Sequence, residues 1–128
     1  MRRCLPFFVL LFALAATTTR AAEPRTFVLY FASWSALIDP TADQIVNAAV
    51  AAAKTNPLAP ITVTGYASTI GSTEANTLLA RLRAQVVSDA LVTAGVNRER
   101  IKQSSTGPTT FIVEPVESRR TVIQIGTP

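Results

Sequence analysis

Two stretches with helix-start punctuation alternate with short β-branched runs along this chain, and that alternation constrains the fold more than any other feature. Apolar residues at period two need a sheet, and apolar residues at helical spacing need a face to lie on. A chain that switches between the two periods twice therefore lays helices on a sheet.

Residues 26–32 read Thr-Phe-Val-Leu-Tyr-Phe-Ala after Pro24, which predicts a buried first strand. Asp39 followed by Pro40 starts a helix, because the carboxylate can cap free amides while proline occupies the first helical position at no cost. That helix is expected to run to about Lys54 and to end at Asn56 and Pro57, with Ile45, Ala48, Ala49 and Ala52 as a narrow stripe facing the sheet. Residues 61–66 alternate apolar and hydroxyl side chains, the pattern of a strand buried on one face. Ser72 caps a second helix over 73–93, closed by Gly95, with Leu79, Leu82, Val86 and Ala90 expected to form its core stripe. Residues 101–105 and 121–125 complete the set as strands three and four, separated by a loop containing Gly107, Pro108 and Pro115. The prediction is an α/β (α+β) domain in the order β-α-β-α-β-β, with two helices packed on one mixed sheet.

The leading residues stand apart from this domain. Arg2 and Arg3 precede an apolar run from Leu5 to Ala16, too short for the roughly twenty residues that span a bilayer, and small residues follow to Ala22. Residues 1–22 are accordingly expected to be a secretory signal peptide and 23–128 the exported domain, with no transmembrane segment in the mature chain. Cys4 precedes the apolar run, so it is not placed for lipidation, and the mature part has no thiol for a disulfide or a metal. Without Arg2, Arg3 and Arg20, nine basic residues stand against eight acidic ones, a net charge of +1. So balanced a surface argues against nucleic acid as a partner.

Catalysis is disfavoured by the same inventory. The chain has no histidine, its mature serines have no evident general base, and its carboxylates are scattered without a shared motif or metal-ligand spacing. The expectation is a binding module rather than an enzyme, with no cofactor and no metal.

One segment is more specific. Gly65-Tyr66-Ala67-Ser68-Thr69-Ile70-Gly71-Ser72 is followed by Asn76, Leu79, Arg83, Ala84 and Val87, then Gly95-Val96 and Arg100-Ile101, and near the end by Ser118-Arg119-Arg120. From about Phe27 to Ile125 this pattern resembles the OmpA-like peptidoglycan-binding domains, whose motif reads Gly-x-x-Asp-x-x-Gly-Ser and then Asn-x-x-Leu-Ser-x-x-Arg-Ala-x-x-Val. The resemblance implies a periplasmic protein, associated with the outer membrane or cell wall, whose partner is the peptide stem of peptidoglycan. The diaminopimelate of that stem presents an ammonium and a carboxylate side by side. In the family an aspartate meets the ammonium and a helix-two arginine grips the carboxylate through its planar fork.

Arg83 occupies the arginine position, and Ser68 stands where the aspartate should be. A hydroxyl accepts a hydrogen bond but carries no charge. Losing one partner of a buried charge pair typically costs about 2 to 5 kcal/mol, so the implied binding is weakened. The alternative is a degenerate OmpA-like domain that serves as a periplasmic interaction or structural module and no longer binds peptidoglycan.

The residues themselves also mark Arg83. Its helical neighbours Leu79, Ala80, Val86 and Val87 are apolar, so its guanidinium points into the domain and needs an anionic or carbonyl partner, either a ligand or Asp89 or Glu74. By resemblance, Asn76 and the loop residue Thr69 join Ser68 and Arg83 at the site, and Arg119 and Arg120 form its rim, with strand alternation sending those two side chains to opposite faces. Asn76 could equally serve as a local turn or cap. Trp34, the single tryptophan, lies at the end of strand one, where it could cover the ligand but reads more naturally as core.

Overall fold

The computed structural model describes residues 23–106 and 115–127. The expected signal peptide and residues 107–114 of the long loop lie outside them. Four strands, β1 (Arg25–Tyr30), β2 (Ile61–Gly65), β3 (Ile101–Ser105) and β4 (Arg120–Ile125), form one mixed sheet in the order β1-β4-β2-β3. β4 runs antiparallel to both β1 and β2, while β2 and β3 are parallel. Two helices, α1 (Pro40–Thr55) and α2 (Thr73–Thr93), pack on the sheet and against each other, α1 over β1 and α2 over β2 and β3. This is the β-α-β-α-β-β arrangement that the alternation predicts.

Local signals account for the helix ends. Asp39 accepts a 2.7 Å hydrogen bond from the amide of Ala42 with Pro40 in the first turn, and Ser72 accepts one from Ala75. β2 and β4 alternate buried and half-buried residues, and their inward set of Ile61, Val63, Ile123 and Ile125 meets Leu29 of β1 in the core. Burying such a side chain contributes about 1.5 to 3 kcal/mol. β1 stops at Tyr30, two residues before its predicted end. The chain then turns at Ser33 and Trp34 towards α1.

The phase of both helices departs from expectation. Leu82, placed in the core stripe of α2, is half exposed, whereas Ala80, Arg83, Ala84, Val87, Ser88 and Leu91 face inward. On α1, Ala48 is exposed, and the inward face is Ala42, Val46, Ala49, Val50, Ala52 and Ala53. The physical reason for α2 lies at Gly65. A β-carbon there would sit 1.9 Å from the carbonyl oxygen of Ala80, so β2 and α2 touch backbone to backbone and only small side chains fit between them. Ala80 and Ala84 fill that seam, which turns the larger Leu82 outward. The inward hydroxyl of Ser88 is satisfied by the Ala84 carbonyl at 2.8 Å.

Candidate functional site

A cavity of about 120 Å³ opens where the segment after β1, the loop between β2 and α2, and the start of β4 converge. The first segment contributes Ser33 and Trp34. The loop contributes Ser68 and Ile70, α2 contributes Asn76, Leu79 and Arg83, and the approach to β4 contributes Ser118 and Arg119.

Arg83 forms the floor. Its side chain is 1% exposed, and the guanidinium donates from Nε to the Ser35 carbonyl at 2.8 Å, from one terminal nitrogen to Tyr66 at 3.0 Å and from the other to Ala32 at 3.2 Å. The ring of Phe31 lies beneath it, 5.2 Å from the guanidinium carbon. Among the described residues no carboxylate pairs with it. Asp89, one of the expected partners, binds Arg98 at 2.8 Å on the surface, and this hydrogen bond holds the Asp89 carboxyl below its ordinary value. Among the described residues, three loop and strand-end carbonyls rather than an internal ion pair hold the Arg83 guanidinium. Burial first, and the nearby positive charge of Arg119 second, lower the Arg83 pKa to about 10, so the group remains a cation at neutral pH.

Arg119 reaches the cavity from the opposite side, where its Nε donates to the Phe31 carbonyl at 3.0 Å and a terminal nitrogen to Ser33 Oγ at 3.3 Å. Ser68 Oγ accepts the amide of Ile70 at 3.0 Å. Asn76 is buried, and its Nδ2 donates to the carbonyls of Ile70 at 2.8 Å and Ser72 at 3.0 Å, which ties the loop to the first turn of α2. Its Oδ1 is buried and has no hydrogen-bond partner among the described residues.

The structure thus brings Ser68, Asn76, Arg83 and Arg119 to one cavity. Thr69 is exposed and is not part of the lining, and Arg120 lies elsewhere. Its guanidinium stacks on the Tyr66 ring at 4.2 Å and binds the backbone carbonyl and carboxylate of Glu117. Strand alternation had already separated the two arginines, and the contacts assign Arg119 to the cavity.

Trp34 overturns its expectation as core, since it is 60% exposed and stands at the rim. Its φ of 55° is left-handed, an unusual conformation for a bulky side chain. The indole edge lies close to Gly71, where a β-carbon would come within 3.3 Å of the ring, and Gly71 itself has a φ of 90°. Ser33, Ile70, Leu79 and Ser118 also line the cavity, although the sequence marks Ile70, Leu79 and Ser118 only as motif residues, and Leu79 also as core. Ile70 lies inside the motif loop and Ser118 adjoins the paired arginines, so proximity in sequence was the available signal; Ser33 had none.

A sequence model of the OmpA family matches residues 30–121. The fold is similar to the OmpA-like domain of FopA1 from Francisella tularensis, with 22% identity over 82% of this chain and 73% of that one and a TM-score of 0.73. It is also similar to the peptidoglycan-associated lipoprotein from Burkholderia pseudomallei, at 21% identity over 77% and 89% of the two chains with a TM-score of 0.70. The cell wall anchor of the T6SS from Pseudomonas aeruginosa gives 18% identity over 82% of each chain and a TM-score of 0.64. No curated protein sequence matches. At these identities the structural likeness shows the fold.

Proposed function

The chain belongs to the OmpA family, and from that premise we propose that it is a non-catalytic module of the cell envelope that binds the peptide stem of peptidoglycan, with a stem carboxylate held at Arg83. The observation that carries this reading is the Arg83 guanidinium, 1% exposed and without a carboxylate partner among the described residues. A buried charge is costly unless it is neutralised, and carbonyl partners offset only part of that cost. Among the described residues three of the five N–H donors of the fork are occupied, which leaves two for an incoming anion. Arg119 adds a second positive charge to the same cavity.

Two similar structures are named for such attachment, one a peptidoglycan-associated lipoprotein and one a cell wall anchor. Among the described residues no helix is long and apolar enough to cross a membrane, and the proposal places the domain in the periplasm, delivered by residues 1–22. Ser68 in place of an acidic residue makes the expected binding modest. Its hydroxyl is already engaged as an acceptor by the Ile70 amide.

Sedimentation of the purified protein with intact sacculi tests the proposal. The wild type is expected to pellet, and Arg119→Ala, at a partly exposed position, is expected to reduce pelleting while leaving the circular dichroism spectrum unchanged. Failure of the wild type to pellet at any accessible sacculus concentration overturns the reading.

A further inference from the structure

The cavity carries two guanidinium groups and, among the described residues, no carboxylate in its lining. Its hydrogen-bonding groups are equally lopsided. Arg83 and Arg119 can only donate, and Ser68 Oγ, having accepted the Ile70 amide, keeps its O–H and one uncharged lone pair. Asn76 Oδ1, on a residue that lines the cavity, is a buried acceptor with no partner among the described residues. The two carbonyls held by Asn76 Nδ2 determine which end of that amide is oxygen.

A ligand carboxylate suits the two arginines. What stands beside that carboxylate decides the rest. An ammonium there would lose water next to two like charges and find only an uncharged acceptor. A neutral amide N–H needs one acceptor and no counter-charge, and the second lone pair of Ser68 Oγ, on the half-buried loop residue that lines the cavity, supplies it. Resting on the reading that a stem carboxylate binds at Arg83, we infer that the cavity selects carboxylates whose neighbouring nitrogen is acylated. In a cell wall, that is the diaminopimelate end whose amine has entered a cross-link, in preference to the free zwitterion.

Two probes decide the matter: a stem tripeptide ending in diaminopimelate with its distal amine free, and the same tripeptide acetylated at that amine. Titrated into the purified protein by calorimetry or NMR, the acetylated tripeptide is expected to bind at least about tenfold tighter, a difference set by the like-charge and desolvation costs on the ammonium. Ser68→Asp, whose carboxylate can still accept the Ile70 amide, is expected to reverse the order by supplying the missing charge. Equal affinity for the two probes, or tighter binding of the free amine by the wild type, overturns the inference. So does an unchanged preference in Ser68→Asp. Those results leave the sacculus-binding proposal standing, whereas absence of binding to both probes together with absence of pelleting overturns both.

Discussion

Arg83 donates to the Ser35 carbonyl at 2.8 Å across 48 positions of sequence, and this hydrogen bond joins α2 to the segment between β1 and α1. With the bonds to Ala32 and Tyr66, one side chain ties two pieces of backbone that wall the cavity, the segment after β1 and the loop after β2, to α2. The same residue therefore has a structural duty and, under the proposal, a ligand duty, and simple removal cannot separate them.

Arg83→Ala should accordingly destabilise the fold by about 2 to 4 kcal/mol, since it leaves a cavity and strips three carbonyls of their donor. Arg83→Lys keeps the charge but not the fork, and a loss of about 1 to 2 kcal/mol is expected. Urea denaturation measures both. An alanine variant within about 0.5 kcal/mol of the parent would show that the three hydrogen bonds do not hold the loops.

Gly65→Ala tests the backbone seam between β2 and α2. A β-carbon 1.9 Å from the Ala80 oxygen cannot be accommodated without separating strand from helix. The expected cost is at least about 3 kcal/mol, at the upper end of overpacking effects. A variant with unaltered thermal unfolding would contradict the close approach.

The helical phase of α2 predicts opposite outcomes for two leucines. Leu91→Ala, at a position 1% exposed, is expected to cost about 2 to 5 kcal/mol. Leu82→Ser, at a position 50% exposed, is expected to change stability by no more than about 0.5 kcal/mol. Equal losses at the two sites would return Leu82 to the core.

Proton linkage gives a test of Arg83 as the anion-binding group. A bound carboxylate favours the protonated guanidinium, and in the free protein that proton is lost as pH rises through about 10. Affinity for the acetylated tripeptide should be level from pH 6 to 9 on the protein's side and fall as pH passes about 10. Calorimetry at pH 7, 9 and 10.5 reads it, and a decline centred near pH 7 would implicate another group.

Trp34 offers a direct optical reading of the cavity, because the chain has a single tryptophan and it stands at the rim, 60% exposed. Its emission should resemble that of a solvated indole and be readily quenched by acrylamide. Ligand binding should shift the emission to shorter wavelength and protect it from quenching. Emission typical of a buried indole in the free protein would refute this placement.

The sequence alone determined the order of elements and the helix starts, because those rest on short-range chemistry. Asp39 before Pro40, Ser72 before α2 and the alternation in β2 act within a few residues of backbone. It also located Ser68, Asn76, Arg83 and Arg119, which fall within or beside a recognisable motif. Tertiary structure decided which way α2 turns, because Gly65 and Ala80, fifteen positions apart, meet at a separation that excludes a leucine. Tertiary structure also decided that Arg83 is held by the carbonyls of Ala32, Ser35 and Tyr66 rather than by Asp89, and that Trp34 stands at a rim rather than in the core. Helical spacing shows that a guanidinium points inward. Which backbone waits for it is set where distant segments of the chain converge, and no local pattern encodes that.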